Sequence, residues 1–280
     1  MSNGAIAGVS YDPMRIATTL VPLAVVLLAS GCGTLSNGRS WGEDATLTPG
    51  WERVKEAAWN AARSPRVWVP LAGAALVQID DWDRDIADWA REETPIFGSV
   101  DNAERWSDDL ETTSKVAFHV TALATPSGDT PRDWIGNKLR GYAVDVAAIG
   151  VTTGLTRTLK DAVGRERPNG EDDRSFPSGH AAVAAVHNRL ASRNLQSIDM
   201  NRGGRRALDA GLDALTVGTS WARIEAGWHY PSDTLFSASL GAFFAAFFND
   251  AFMGLGGPDS PSMVLVVNPG GASLQFGWRR

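Results

Sequence analysis

From Thr130 to Gly164 the chain reads TPRDWIGNKLRGYAVDVAAIGVTTGLTRTLKDAVG, with no proline after Pro131. Proline is the residue that most reliably ends a helix, so the stretch predicts one long helix or two in series. Helical patterns also dominate what precedes it. TPGWERVKEAAWNAARS has a cap signal, an early proline, and Trp51, Val54, Ala58 and Trp59 at helical spacing. VWVPLAGAALVQIDDWDRDIADWARE is a small-residue apolar segment that turns amphipathic near Asp80, and DNAERWSDDLETTSKVAFHVTALA is a further helix candidate. After the polar loop RERPNGEDDRSFP, helices are predicted from Ser178 to about Arg193, from about Arg205 to Ile224, and from Ser232 to Met253. Only residues 255–280 break the pattern: SMVLVV and ASLQFG are strand-like runs around Asn268, Pro269, Gly270 and Gly271, a hairpin signal.

The N-terminus reads as an export signal. Arg15 precedes an apolar run from Ile16 to Leu28, and Ala29, Ser30 and Gly31 are small residues suited to cleavage. The run is short for a spanning helix, which needs about 20 apolar residues. The sole cysteine, Cys32, follows in ASGC, which resembles the bacterial lipobox, in which the cysteine becomes the lipid-modified first residue of the mature chain. Ala29 stands where leucine is usual, and an ordinary signal peptide is the alternative. The expected organisation is a lipoprotein-type signal over 1–31, a flexible tether over 32–49, and N-terminal helices over 50–129. A core over 130–254 and the hairpin over 255–280 follow. Gly33, in place of an aspartate that would resemble an inner-membrane retention signal, favours the periplasmic face of the outer membrane. Apolar runs within Val67–Ile79, Val144–Leu159 and Thr234–Gly254 are read as buried core helices.

Composition excludes some classes. With 44% hydrophobic and 21% charged residues the chain is neither disordered nor a dense membrane bundle, and a net charge of -6 argues against a general nucleic-acid binder. Most of the eleven tryptophans are expected to pack helices together.

Three short segments carry chemistry. KDAVGRERP supplies Lys160 and Arg167, PSGH supplies Ser178, Gly179 and His180, and RIEAGWHYPSD supplies Arg223, His229 and Asp233. Taken singly, Lys160 is a helix C-terminal cation, Ser178 a cap and His229 an ordinary core histidine. Together they suit a phosphoryl group: three cations, two of them planar forks that match phosphate oxygens, and backbone donors at a helix start after Pro177. Two histidines remain for nucleophile and general acid, and a carboxylate just after one of them could fix its tautomer.

These segments resemble the tripartite signature of the type-2 phosphatidic acid phosphatase superfamily, which includes bacterial non-specific acid phosphatases and vanadium haloperoxidases. One departure is Ala222, where serine is usual before the arginine. The resemblance spans roughly Thr130 to Met253 and implies an all-α fold with the site inside a helical bundle. It implies that His229 is the nucleophile forming a phosphohistidine, that Asp233 orients it, and that His180 protonates the leaving group and then activates water. Lys160, Arg167, Ser178, Gly179 and Arg223 would cradle the phosphate, with no metal and no cofactor.

The function this implies is hydrolysis of phosphomonoesters, on lipid phosphates or small phosphoesters, at a membrane surface reached through an anchor at Cys32. One alternative is a haloperoxidase holding vanadate in the same cradle. Another is a non-catalytic phosphate-binding lipoprotein of the envelope, which the presence of both histidines disfavours.

Overall fold

The computed structural model describes residues 33–35 and 38–254, and the backbone of 262–268 and 271–277. The expected signal over 1–31 and Cys32 lie outside the described residues. The described helices are α1 (Trp51–Arg63), α2 (Pro65–Leu76), α3 (Trp82–Glu93), α4 (Val100–Ala124), α5 (Pro131–Val163), α6 (Gly179–Ser197), α7 (Arg202–Glu225) and α8 (Pro231–Phe248). Two strands, Ser262–Asn268 and Gly271–Gly277, pair antiparallel after them.

The long middle stretch is one helix. Thr130 caps α5 by accepting from the Asp133 N–H, Pro131 sits in its first turn, and Gly164 ends it at φ 60°. Along α5, Asn137, Gly141, Val144, Ala148, Thr152 and Thr156 are buried at helical spacing, which gives the helix one inward stripe. Lys138 on the same helix is buried, and its ammonium donates to the carbonyls of Ala122 and Thr125 at 2.6 Å each. These lie at the C-terminal end of α4, where carbonyls lack helical partners and a cation is favoured.

Helix α6 is the centre of the bundle, in contact with α4, α5, α7 and α8. Its alanines at 181, 182, 184, 185 and 191 are buried, so neighbouring helices approach closely. At the crossing with α8 a Cβ on Gly241 would stand 2.7 Å from the Ala182 carbonyl oxygen, so glycine is required there. Phe118, Val186, Leu190, Leu195, Leu212 and Ala245 form the main apolar cluster around α6. Helices α1 and α2 lie on α8, and α3 lies on α7 and α8. The 23 residues from Pro231 to Met253, expected to form a buried core helix, are long and apolar enough, by length and composition, to cross a membrane. Half of that span's most apolar window is buried inside the protein.

Two expectations change. The segment between α2 and α3 is broken by a short 3-10 turn, Ile79–Asp81, in which Asp80 and Asp81 have positive φ. The tryptophans are largely not core residues: Trp41 is the one among the fully buried large side chains, whereas Trp51, Trp59, Trp68, Trp82, Trp89 and Trp106 are exposed. Within the stretch read as a tether, Trp41 packs with Val144 and Met253. Its ring lies so close to Gly141 that a Cβ there would come within 2.4 Å.

Candidate active site

The three sequence segments converge where the end of α5, the loop after it, the start of α6, the end of α7 and the start of α8 meet. Their charges act on one another: Lys160 is influenced by Arg167 and Arg223, His229 by Lys160 and Arg223, and His180 by Arg223.

His229 is buried. Its Nδ1 lies 2.5 Å from the carbonyl oxygen of Ser175, so Nδ1–H donates to that acceptor and Nε2 keeps its lone pair. Burial pushes the imidazole down to about 3, with Lys160 and Arg223 adding to the effect and Asp233 opposing it. The ring is therefore neutral at ordinary pH.

Asp233 stands 3.9 Å from Nδ1, beyond hydrogen-bond range. Its direct partners are the Ser175 hydroxyl at 2.5 Å, the Tyr230 N–H at 2.9 Å and Arg165 Nη1 at 2.6 Å. The expected contact between the Asp233 carboxylate and His229 is thus relayed: Asp233 fixes Ser175, and the Ser175 carbonyl fixes His229. Burial alone would raise the Asp233 carboxyl, but His229, Arg165 and Ser175 outweigh it and hold it below the usual value. Arg165 also pairs with Asp83 of α3 at 2.7 Å, and Asp83 accepts from the Ser232 N–H at 2.7 Å.

His180, in the first turn of α6, places Nε2 2.8 Å from Asp108 and 3.6 Å from Glu111, both on α4. Burial lowers its pKa and Arg223 adds to this, while Glu111 and Asp108 oppose without reversing it. Ser178 is fully buried, and its hydroxyl accepts from the Ala181 N–H at 3.4 Å. The side chain thus serves as the helix cap rather than facing an open cleft. A Cβ on Gly179 would meet no atom within 4 Å, so the backbone there borders open space.

The three cations differ in how they are held. Lys160 donates to the Arg174 carbonyl at 2.6 Å. Burial, then repulsion from Arg167, brings it down to about 8, with Arg174 and Arg223 contributing and Asp233 opposing. Arg223 is buried, donates from Nη1 to Ser107 at 3.2 Å, and leaves Nε without a partner among the described residues. Arg167 donates from Nε to Asp172 at 2.5 Å. The guanidinium carbons of Arg167 and Arg223 lie 4.5 and 5.0 Å from the Trp228 ring centre, which keeps both forks at one site.

Sequence reasoning missed Asp108, Glu111, Ser175, Arg165 and Asp83. Ser175 and Arg165 lie within the quoted stretches RERPNGEDDRSFP and KDAVGRERP but carried no spacing signal of their own. Asp108 and Glu111 lie far upstream, in a helix rich in exposed acidic side chains.

The family model of the PAP2 superfamily matches residues 142–254. No curated protein matches the chain. A solved structure, described as the crystal structure of the first transmembrane PAP2 type phosphatidylglycerolphosphate phosphatase from Bacillus subtilis, is similar at a TM-score of 0.48 and 17% identity. That similarity covers 66% of this chain and 92% of the other.

Proposed function

Residues 142–254 of this chain belong to the PAP2 superfamily, and from that premise we propose a metal-independent phosphatase that hydrolyses phosphomonoesters through a phosphohistidine on His229. The supporting observation is the state of His229: neutral, with Nδ1 bound to the Ser175 carbonyl and two cations acting on the ring. An unprotonated Nε2 beside Lys160 and Arg223 suits attack on a phosphorus whose anionic oxygens those cations attract.

In the first step the Nε2 lone pair forms a bond to phosphorus and the ester P–O bond breaks. Its electron pair leaves with the ester oxygen, which takes the proton of His180. In the second step His180 accepts a proton from water, the water oxygen bonds to phosphorus, and the N–P bond breaks to return its pair to His229. Asp108 and Glu111 steady the charged form of His180 before the first step and again after the second. Arg167 and Arg223, braced on Trp228, bind phosphoryl oxygens, and backbone donors at Gly179 add to them.

The substrates in this reading are lipid phosphates or small phosphoesters at the periplasmic face of a bacterial envelope, with Cys32 as the lipid anchor. The exposed tryptophans between Trp51 and Trp106 support a location at a lipid surface, where amphipathic rings are favoured. Hydrolysis of a chromogenic phosphomonoester by the purified chain, with and without chelator, tests the reaction class. Undiminished turnover in chelator is expected. Loss of turnover in chelator contradicts the metal-free route, and vanadate-dependent bromide oxidation without phosphatase activity replaces it with the haloperoxidase reading.

A further inference from the structure

A cavity of about 510 Å³ lies between α2, α6, α7 and α8, within the roughly 300–1,000 Å³ of small-molecule sites. Lys160, Arg167, His180, Arg223 and His229 are not among its lining residues, so it is separate from the candidate active site. Its walls are apolar, with Val69 and Pro70 from α2, Ile224 from α7, and Leu235, Ala238 and Ala242 from α8.

Two consecutive residues of α6, Asn188 and Arg189, bring polarity into this lining. Asn188 is 3% exposed, and its Nδ2 donates to Ser114 Oγ at 3.0 Å and Thr216 Oγ1 at 2.9 Å. Both hydroxyls donate onward, to the carbonyls of Leu110 and Leu212, so they can only accept from the amide. That fixes the amide orientation and leaves the buried Oδ1 without a partner among the described residues.

Arg189 donates from Nη1 to Ser192 at 3.1 Å, while its buried Nε has no partner among the described residues. Asp213, also at the cavity, is engaged by Arg66 through hydrogen bonds at 3.0 and 2.8 Å. Burial, with repulsion from Arg193 and Arg66, depresses Arg189 to about 9, and the pull of Asp209 and Asp213 does not offset this. Neither aspartate pairs with Arg189 directly, so a ligand carboxylate would give its buried Nε–H the acceptor it lacks.

We propose that this cavity binds a single-chain aliphatic carboxylate, its chain along the α2 and α8 walls and its carboxylate accepting from Arg189. The Arg189 guanidinium pairs directly with no carboxylate among the described residues, so a ligand monoanion would supply that partner and an alcohol of the same length would not. The inference does not depend on the catalytic reading, since no proposed catalytic residue takes part.

The test uses membranes carrying the full chain and a photoreactive diazirine analogue of palmitate, with labelled peptides mapped by mass spectrometry. Labelling is expected on the α2 and α8 segments that line the cavity, with palmitate competing at least tenfold better than hexadecanol. Ala238→Trp, at a partly exposed wall position, should reduce that labelling at least tenfold. Arg189→Met should abolish the preference for palmitate over hexadecanol, with limited proteolysis confirming that both variants remain folded. Labelling unchanged by Ala238→Trp, or equal competition by palmitate and hexadecanol in the unsubstituted chain, overturns the proposal. If Ala238→Trp does not fold, the competition ratio and Arg189→Met decide the matter.

Discussion

Asp108 of α4 lies 2.8 Å from Nε2 of His180 on α6, so the proposed proton donor is tied to a carboxylate from a different part of the chain. Burial and Arg223 lower the His180 pKa, and Asp108 and Glu111 act against them. Because the protonated imidazole is needed in the first step, kcat/KM should fall as pH rises through this lowered value, giving an acidic optimum. Asp108→Asn removes a raising influence, so the alkaline limb should move to lower pH. At pH 6 activity should drop by about tenfold, a modest part of what a general acid supplies. The pH profile of kcat/KM for both proteins checks this, and an unmoved alkaline limb would remove Asp108 from the account.

Lys160 gives a second pH effect, at the other end of the range. With its ammonium brought down to about 8 by burial and its cationic neighbours, the cradle loses a charge as pH rises past that value. Inorganic phosphate should therefore inhibit more weakly at pH 9 than at pH 7. Lys160→Arg, which stays protonated, should flatten this difference, as inhibition constants measured at the two pH values will show.

The packing of Trp41 makes a prediction about stability. Its ring is fully buried against Val144 and Met253 and occupies the space that Gly141 leaves on α5. Trp41→Ala should cost about 3–5 kcal/mol, the usual loss for a large buried aromatic side chain. Urea unfolding measures it, and a loss below about 1 kcal/mol would mean that this segment is not docked in solution.

Exposed tryptophans predict binding to a surface. Trp51, Trp59 and Trp82 are 70%, 58% and 52% exposed, so replacing them with serine removes little internal packing. The triple variant should lose most sedimentation with phospholipid vesicles while keeping its kcat on a soluble phosphoester. Equal sedimentation of the variant would assign these rings no role at a lipid surface.

The parts of the site that were legible in the sequence are those encoded by local spacing. Arg223, His229 and Asp233 lie within one turn-rich stretch, and Ser178 to His180 follow a proline at a helix start, so their order alone restricts where they can point. What the spacing could not give was the identity of the hydrogen-bond acceptor. Asp233 sits four residues after His229, yet the Ser175 carbonyl from another loop accepts the imidazole N–H. Asp108 and Glu111 were hidden for a related reason, since acidic residues on a helix also make an ordinary solvated face. Trp41 was hidden by its neighbours, a Gly- and Ser-rich run that reads as linker although one aromatic side chain anchors it. The long helix α5 was legible because caps and the lack of an internal proline are local signals. The break at Asp80 and Asp81 was not, because left-handed conformations are open to aspartate but not demanded by it.

The most direct measurement is to quench the enzyme rapidly during turnover of a ³²P-labelled phosphomonoester and map the labelled peptide. Label is predicted on His229, stable in base and lost in acid. It should be absent in His229→Ala and should accumulate in His180→Ala when the substrate has a good leaving group. Covalent label on another residue, or turnover retained by His229→Ala, would contradict the account.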